Sequence, residues 1–264
     1  MRVAAGQVRG GGDKAANLAE IREMTAKAAS DGAQLIAFPE HAMFKQPVRD
    51  EKFLEAAEDL EGSFVSALQD LALQHRIAVI SGMAERIADE RRAYNTVVVI
   101  GPDGERLAAY RKLHLYDAFG GSESTYIRPG DLDQPLTVQI GDLMWGLMTC
   151  YDIRFPEQAR MLVDQGAEAI VIPTAWTPGP RKEDHWSVLV RARAIENVAF
   201  VLAPGIATPI CTGGSLMVDP MGIVLAELGE QPAVGVADFT RERLDAVRQR
   251  NPALEHRRIK IHAT

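Results

Sequence analysis

Apolar residues in this chain fall into short unbroken runs that alternate with helical stripes, and that alternation sets the first expectation for the fold. Arg2 to Gln7 reads as a strand. Asp13 is placed to cap a helix from Lys14 to about Ser30, in which Leu18, Ile21, Met24 and Ala28 recur at helical spacing. The pair Asp31-Gly32 ends it, and Gln34 to Phe38 is a short apolar strand stopped by Pro39. Gly62 to Gln74 is a second amphipathic helix, with Phe64, Leu68 and Leu71 on one stripe. Ile77 to Gly82 and Asn95 to Ile100 are strands rich in β-branched residues.

Two hairpins punctuate the pattern. Gly101-Pro-Asp-Gly104 separates TVVVI from ERLAAY, and Asp219-Pro-Met-Gly222 separates SLMV from IVLAEL. Between them lie strands at Leu143 to Thr149, Ala169 to Ile172 and Val198 to Ala203, interleaved with helices at Pro156 to Gln165 and Asp184 to Ile195. Hairpins inside a strand–helix alternation favour an α/β fold of sheets covered by helices over a simple doubly wound parallel sheet. The strand order stays open at this level. With no linker, low-complexity stretch or repeat, residues 1–264 are expected to form a single domain.

Composition narrows the function classes. The chain is 47% hydrophobic and 25% charged, with a formal net charge of -7 and no run of basic residues, which argues against a nucleic-acid or anionic-membrane partner. Its two cysteines cannot build a disulfide framework, and no stretch approaches the ~18 apolar residues of a membrane span. The opening MRVAAGQV has no basic region followed by an apolar one, so the expectation is a cytoplasmic protein.

Three segments share one design, an apolar strand that ends in a reactive side chain: LIAFPEH with Glu40, AAYRKLHLYDAF with Lys112, and GLMTCYDIRFPEQ with Cys150. Each alone is ambiguous. A glutamate after Phe-Pro is an ordinary loop acid, Lys112 beside Arg111 an ordinary surface charge, and a free cysteine a small hydrophobe suited to a core. Together they supply complementary chemistry. Thiolate is the attacking species of a cysteine, an adjacent lysine favours it, and a nearby carboxylate accepts the proton. A lysine ammonium also suits a developing oxyanion, and the Tyr151 N–H just past the cysteine is placed to be a second donor.

FPEHAMF, YRKLHLYDAF and TCYDIRFPEQARML, in that order and spacing, resemble the three signature segments of the nitrilase superfamily of carbon–nitrogen hydrolases. The likeness extends over AAGQV, SESTYIRPGD, HWSVLVRARAIENVAFVLAPG and GGSLMVDPMG. The resemblance implies an α-β-β-α sandwich of two mixed sheets flanked by helices, which in the family pairs into a four-layer homodimer or a higher homo-oligomer. The helix from Pro156 and the C-terminal RRIKIHAT are the candidates for that contact. It also implies Glu40 as general base, Lys112 as oxyanion stabiliser, Cys150 as nucleophile, and Glu123 in GSESTY as a second glutamate that orients substrate or water. No metal or cofactor enters this scheme, and the six histidines show no HExxH-like spacing.

The residues after the cysteine point to a branch. Cys-Tyr-Asp-Ile-Arg-Phe-Pro-Glu resembles the ω-amidases and deaminated-glutathione amidases, where true nitrilases tend to have Cys-Trp-Glu. The implied substrate is a small amide carrying a carboxylate, with Arg154 as candidate partner for that group. Tyr116, Phe119 and Trp176 are candidates for pocket shape, and the proline-rich IPTAWTPGPRKEDHW departs from the compact loop of those amidases. N-carbamoyl amino acid hydrolysis or nitrile hydrolysis on the same residues is the alternative within the class. Outside it stand a catalytically silent binding or scaffold protein and a thiol redox protein using Cys150 and Cys211, the latter without a CxxC.

Overall fold

The computed structural model describes residues 1–46, 50–134 and 136–259. In chain order it contains β1 (Arg2–Gln7), α1 (Lys14–Ser30), β2 (Leu35–Ala37), α2 (Glu51–Ala56), α3 (Ser63–His75), β3 (Ala78–Arg86), β4 (Ala93–Ile100), β5 (Arg106–Arg111) and β6 (Ile127–Arg128). It continues with β7 (Thr137–Ile140), β8 (Leu143–Leu147), α4 (Pro156–Asp164), β9 (Ala169–Val171), α5 (Lys182–Asn197), β10 (Phe200–Ala203), β11 (Leu216–Val218), β12 (Val224–Glu227), β13 (Ala233–Asp238) and α6 (Arg241–Arg250).

Local signals account for most of these. The Asp13 carboxylate accepts from the Ala15 and Ala16 amides and starts α1, as its position predicts. Pro156, which has no N–H to leave unpaired, stands at the start of α4. Both expected hairpins form: β4 pairs antiparallel with β5, and β11 with β12, the latter across a turn closed by Gly222 N–H donating to the Asp219 carbonyl. The first sheet runs β13-β1-β2-β3-β4-β5, with β6 beside β4, and the second runs β12-β11-β10-β9-β8-β7. Both mix parallel and antiparallel neighbours, with β1, β2 and β3 parallel in one and β8, β9 and β10 parallel in the other.

Burial on both faces explains why the strands read as unbroken apolar runs. In β4, Val97 and Val99 join the core between the sheets, while Val98 and Ile100 join the core under α1 and α3. The same split separates Leu35 and Ala37 from Ile36, and Ala78 and Ile80 from Val79. On the second sheet, α4 and α5 cover the outer face. The result is the expected α/β sandwich of two mixed sheets flanked by helices.

Two of the boundaries that differ from expectation lie at candidate site segments. The strand expected over Leu143 to Thr149 ends at Leu147, and the cysteine opens a short 3-10 turn, Cys150–Arg154. The helix expected from Asp184 starts at Lys182, inside the proline-rich segment. Of the RRIKIHAT segment, residues 260–264 lie outside the described residues. No helix among the described residues is long and apolar enough to cross a membrane.

Candidate active site

The two sheets present the carboxyl ends of their parallel strands side by side, and the three expected side chains meet there. Glu40 follows β2 in a tight turn laid against β3: the Gly82 amide donates to the Pro39 carbonyl at 3.1 Å, and the Phe38 amide to the Ile80 carbonyl at 2.7 Å. Only glycine fits at position 82, because a Cβ there would stand 2.7 Å from Glu40 Cα, His41 N and Pro39 O. His41, the next residue, takes a left-handed φ of 58° to complete the turn. Lys112 follows the return strand β5, and its ammonium is pinned by two carboxylates, donating to Glu40 Oε1 and Glu123 Oε2 at 2.9 Å each.

All three are buried, with Glu40 2%, Lys112 1% and Glu123 0% exposed, which excludes the reading of either acid as a solvated loop residue. Every remaining oxygen of the two acids is also engaged. Asn95 donates to Glu40 Oε1 at 2.7 Å and to Glu123 Oε1 at 3.2 Å, using both amide hydrogens. The Ala175 amide donates to Glu40 Oε2 at 2.9 Å, and the Tyr116 amide to Glu123 Oε2 at 2.7 Å. Neither Asn95 nor Ala175 was singled out from sequence. Asn95 carried a signal, a polar residue at the start of an otherwise apolar strand; a backbone amide carries none.

Cys150 is held by its backbone. Its amide donates to the Pro173 carbonyl at 3.1 Å, and its φ of 48° lies in the left-handed region that a side chain disfavours. The turn it opens is fastened by a buried carboxylate: Asp152 Oδ2 accepts from the Thr149 amide at 2.9 Å and from the Tyr110 hydroxyl at 2.6 Å, and Oδ1 from the His114 amide at 2.9 Å. Asp152 therefore ties the cysteine turn to the segment that carries Lys112. Burial beside Asp152 pushes the Tyr110 phenol well above its ordinary value and keeps it a donor. The Tyr151 N–H sits in the first turn of this short helix, where no preceding carbonyl within the turn can take it.

The electrostatics differ from the simple expectation that the lysine makes a thiolate. Burial pushes the Cys150 thiol up, Glu40 pushes it further, and Lys112 pulls it down without winning; Glu123 adds to the rise, and the thiol hydrogen-bonds Glu40. The resting cysteine is a neutral thiol facing a base. For Lys112, burial is the largest influence and favours the neutral amine, but Glu123, Glu40 and Cys150 together outweigh it and hold the ammonium charged above the ordinary lysine range.

Both shifts predict a loss of stability on the alkaline side. From about pH 9 upward the unfolded chain releases a thiol proton that folded Cys150 keeps, so stability falls as pH rises. Lys112 acts in the same sense above the ordinary lysine value of 10.5. Thermal melts are expected to show the cysteine contribution intact below about pH 9 and declining above it, with a shallower decline between about pH 9 and 10 in Cys150→Ser. Equal slopes in the two proteins would contradict this account of the thiol.

A cavity of about 170 Å³ opens on this cluster, lined by Glu40, Lys112 and Cys150 together with Tyr116, Trp176 and Lys182 among others. Tyr116 and Trp176, the candidates for pocket shape, both line this cavity. Phe119 is 70% exposed and packs on Tyr116 at 6.3 Å between ring centroids, outside the cavity lining. Arg154 does not line the cavity either: its guanidinium lies 5.1 Å from the Trp176 ring and 5.5 Å from the Phe119 ring. Lys182, which sequence reasoning did not single out, does line it. Glu40, His41 and Glu123 offer donor atoms within 4.8 Å of one another, but the Lys112 ammonium already bridges the two carboxylates, so a metal cation there would meet a like charge.

A thiol with a carboxylate in hydrogen-bond reach, a fixed ammonium and an open backbone N–H is the equipment for acyl transfer from nitrogen, and the sandwich that carries it defines a class. The chain belongs to the carbon-nitrogen hydrolase family, whose profile matches residues 2–249, and it is an enzyme of that class. It is 36% identical over 257 residues to a deaminated glutathione amidase of Synechocystis sp., covering 91% of this chain and 92% of that one. Among solved structures, Saccharomyces cerevisiae Nit3, a member of branch 10 of the nitrilase superfamily, superposes with a TM-score of 0.88 at 27% identity, covering 98% of this chain and 97% of that one. A mutant of the amidase of Nesterenkonia sp. AN1, solved with acrylamide added at its active-site cysteine, superposes with a TM-score of 0.77 at 28% identity, covering 95% of this chain and 99% of that one.

Proposed function

We propose that this enzyme hydrolyses a small carboxylate-bearing amide to the acid and ammonia through a thioester on Cys150. The observation that carries the reading is the convergence of one thiol, one ammonium and the Glu40 carboxylate on the lining of a single cavity, with the fully buried Glu123 as the second carboxylate partner of that ammonium. The Cys150 sulfur attacks the amide carbonyl carbon as its proton moves to Glu40, which a neutral thiol hydrogen-bonded to that carboxylate favours over a standing thiolate. The oxyanion forms against the Lys112 ammonium and the Tyr151 N–H. Glu40 hands the proton to the departing nitrogen, the C–N bond breaks, and ammonia leaves a thioester. Water, deprotonated by Glu40, attacks the thioester, and the sulfur leaves as the thiol when the proton returns. Glu123, whose oxygens are taken by Lys112, Asn95 and the Tyr116 amide, holds the Lys112 ammonium in place.

The fixed Lys112 is what lets a buried carboxylate pair stay charged and ready as a base. The amidase name of the Synechocystis relative and the cysteine adduct in the Nesterenkonia amidase support the amide reading. A panel of carboxylate-bearing amides, N-carbamoyl amino acids and nitriles, assayed for ammonia and carbon dioxide, tests it. The expected result is ammonia without carbon dioxide from the amides. Preferred turnover of a carbamoyl compound with carbon dioxide release, or of a nitrile, would transfer the same residues to that chemistry. Turnover of no compound in the panel would end the reading.

A further inference from the structure

Lys182 occupies a place that disfavours a cation. It opens α5, where the positive end of the helix dipole and free N–H groups favour an anion. It is only 4% exposed, while Glu183 and Asp184 of the same turn are exposed. Burying an ammonium is costly unless it is paired. Its ammonium donates to the Tyr116 hydroxyl at 3.2 Å and lies 4.5 to 5.0 Å from the ring centroids of Trp176, Tyr116 and Phe119, but among the described residues no carboxylate forms an ion pair with it. Rings offset part of the burial. They do not neutralise the charge.

A second cation leans on the same rings. Arg154 packs over Trp176 and Phe119, its Nε is buried without a hydrogen-bond partner, and a terminal guanidinium nitrogen lies 3.4 Å from His185 Nδ1. The Glu40 carboxylate in the cavity lining and the buried Glu123 are already bridged by Lys112. Two cations thus share one aromatic cluster beside the cavity that holds Cys150, and among the described residues neither forms an ion pair with an acid. Of the two, only Lys182 lines that cavity.

We propose that Lys182 is a specificity-determining residue that receives the anionic end of the substrate, with the Tyr116 hydroxyl as a second donor and Arg154, packed on Trp176 outside the lining, adding positive field. The substrate is then a short molecule with an amide at one end and a carboxylate at the other. The cavity, about 170 Å³, is smaller than the ~300–1,000 Å³ of pockets for drug-sized ligands, which matches a molecule of that kind. The amide end of this inference rests on the function proposed above; the anionic end rests on Lys182 alone. It moves the carboxylate partner from Arg154, where the sequence pointed, to a residue of the proline-rich segment that departs from related amidases.

The test pairs succinamate with its neutral isostere levulinamide in wild type, Lys182→Met and Lys182→Arg. In Lys182→Met the ratio of kcat/KM for succinamate over levulinamide is expected to fall at least about tenfold, mainly through the KM of succinamate, and Lys182→Arg should recover most of it. Equal losses on both amides, as from a damaged pocket wall, would overturn the inference. A second readout needs no turnover: succinate should slow alkylation of Cys150 by acrylamide in wild type and not in Lys182→Met. Protection that depends on Lys182 in an enzyme that hydrolyses neither amide would end the amidase reading and leave the anion site standing. Amide turnover without any such protection would overturn the anion site alone.

Discussion

Replacing Cys150 with alanine is expected to remove turnover, a loss of at least about 10⁴-fold in kcat, while leaving the fold intact. The other cysteine cannot take its place: Cys211 is buried in the core under α1 and α3 and does not line the cavity. Wild-type protein incubated with acrylamide should gain one adduct, mapped by mass spectrometry to Cys150, and the variant none there. The backbone adds a prediction about stability. At a φ of 48° a side chain is strained, whereas glycine is not. Cys150→Gly should therefore melt no lower than Cys150→Ala, reversing the ordinary order in which glycine costs roughly 0.5–1 kcal/mol relative to alanine. Retained ammonia release in either variant would refute the role of the thiol, and a glycine variant well below the alanine variant would refute the strain.

Lys112→Met is expected to lose both activity and stability. The ammonium bridges Glu40 and Glu123, and without it two buried carboxylates lose the charge that pairs them. Breaking a buried ion pair by removing one partner costs about 3–5 kcal/mol, which corresponds to a Tm lower by on the order of 10 °C for a chain of this size. A proton shared between the carboxylates relieves the repulsion, so the deficit should shrink as pH falls. Adding Glu123→Gln removes one charge and should restore much of the Tm without restoring turnover, because the oxyanion still lacks its cation. Melting curves and ammonia release on the two variants separate the roles. A Lys112→Met protein as stable as wild type would mean that the two acids do not depend on this lysine for their charge.

What is legible in the sequence and what is not follows the range of the interactions. The bounds of α1 are carried by Asp13 and a stripe within one segment, and both hairpin turns by four adjacent residues. By contrast β13, which closes the first sheet by pairing Ala4 with Val236 and Arg2 with Asp238, depends on a partner more than 200 residues away, and its own sequence carries no comparable local mark. The site divides in the same way. Glu40, Lys112 and Cys150 were legible because each ends an apolar strand and motif resemblance joined them. Asn95, whose two amide hydrogens hold both acids, and the Ala175 amide became visible only when β4 and the segment after β9 arrived beside β2.

By itself the sequence determined the family, the strand–helix alternation, and which side chains were available for chemistry, because residue type and short spacing are local quantities. Tertiary structure alone decided the protonation states and the geometry. Burial and two carboxylates keep the Cys150 thiol neutral in spite of its lysine, since desolvation depends on everything packed around the group. It also decided which cations line the cavity. Arg154, four residues past the cysteine, packs on Trp176 outside the lining, while Lys182, thirty-two residues on at the start of α5, lines it together with Lys45 and Lys112.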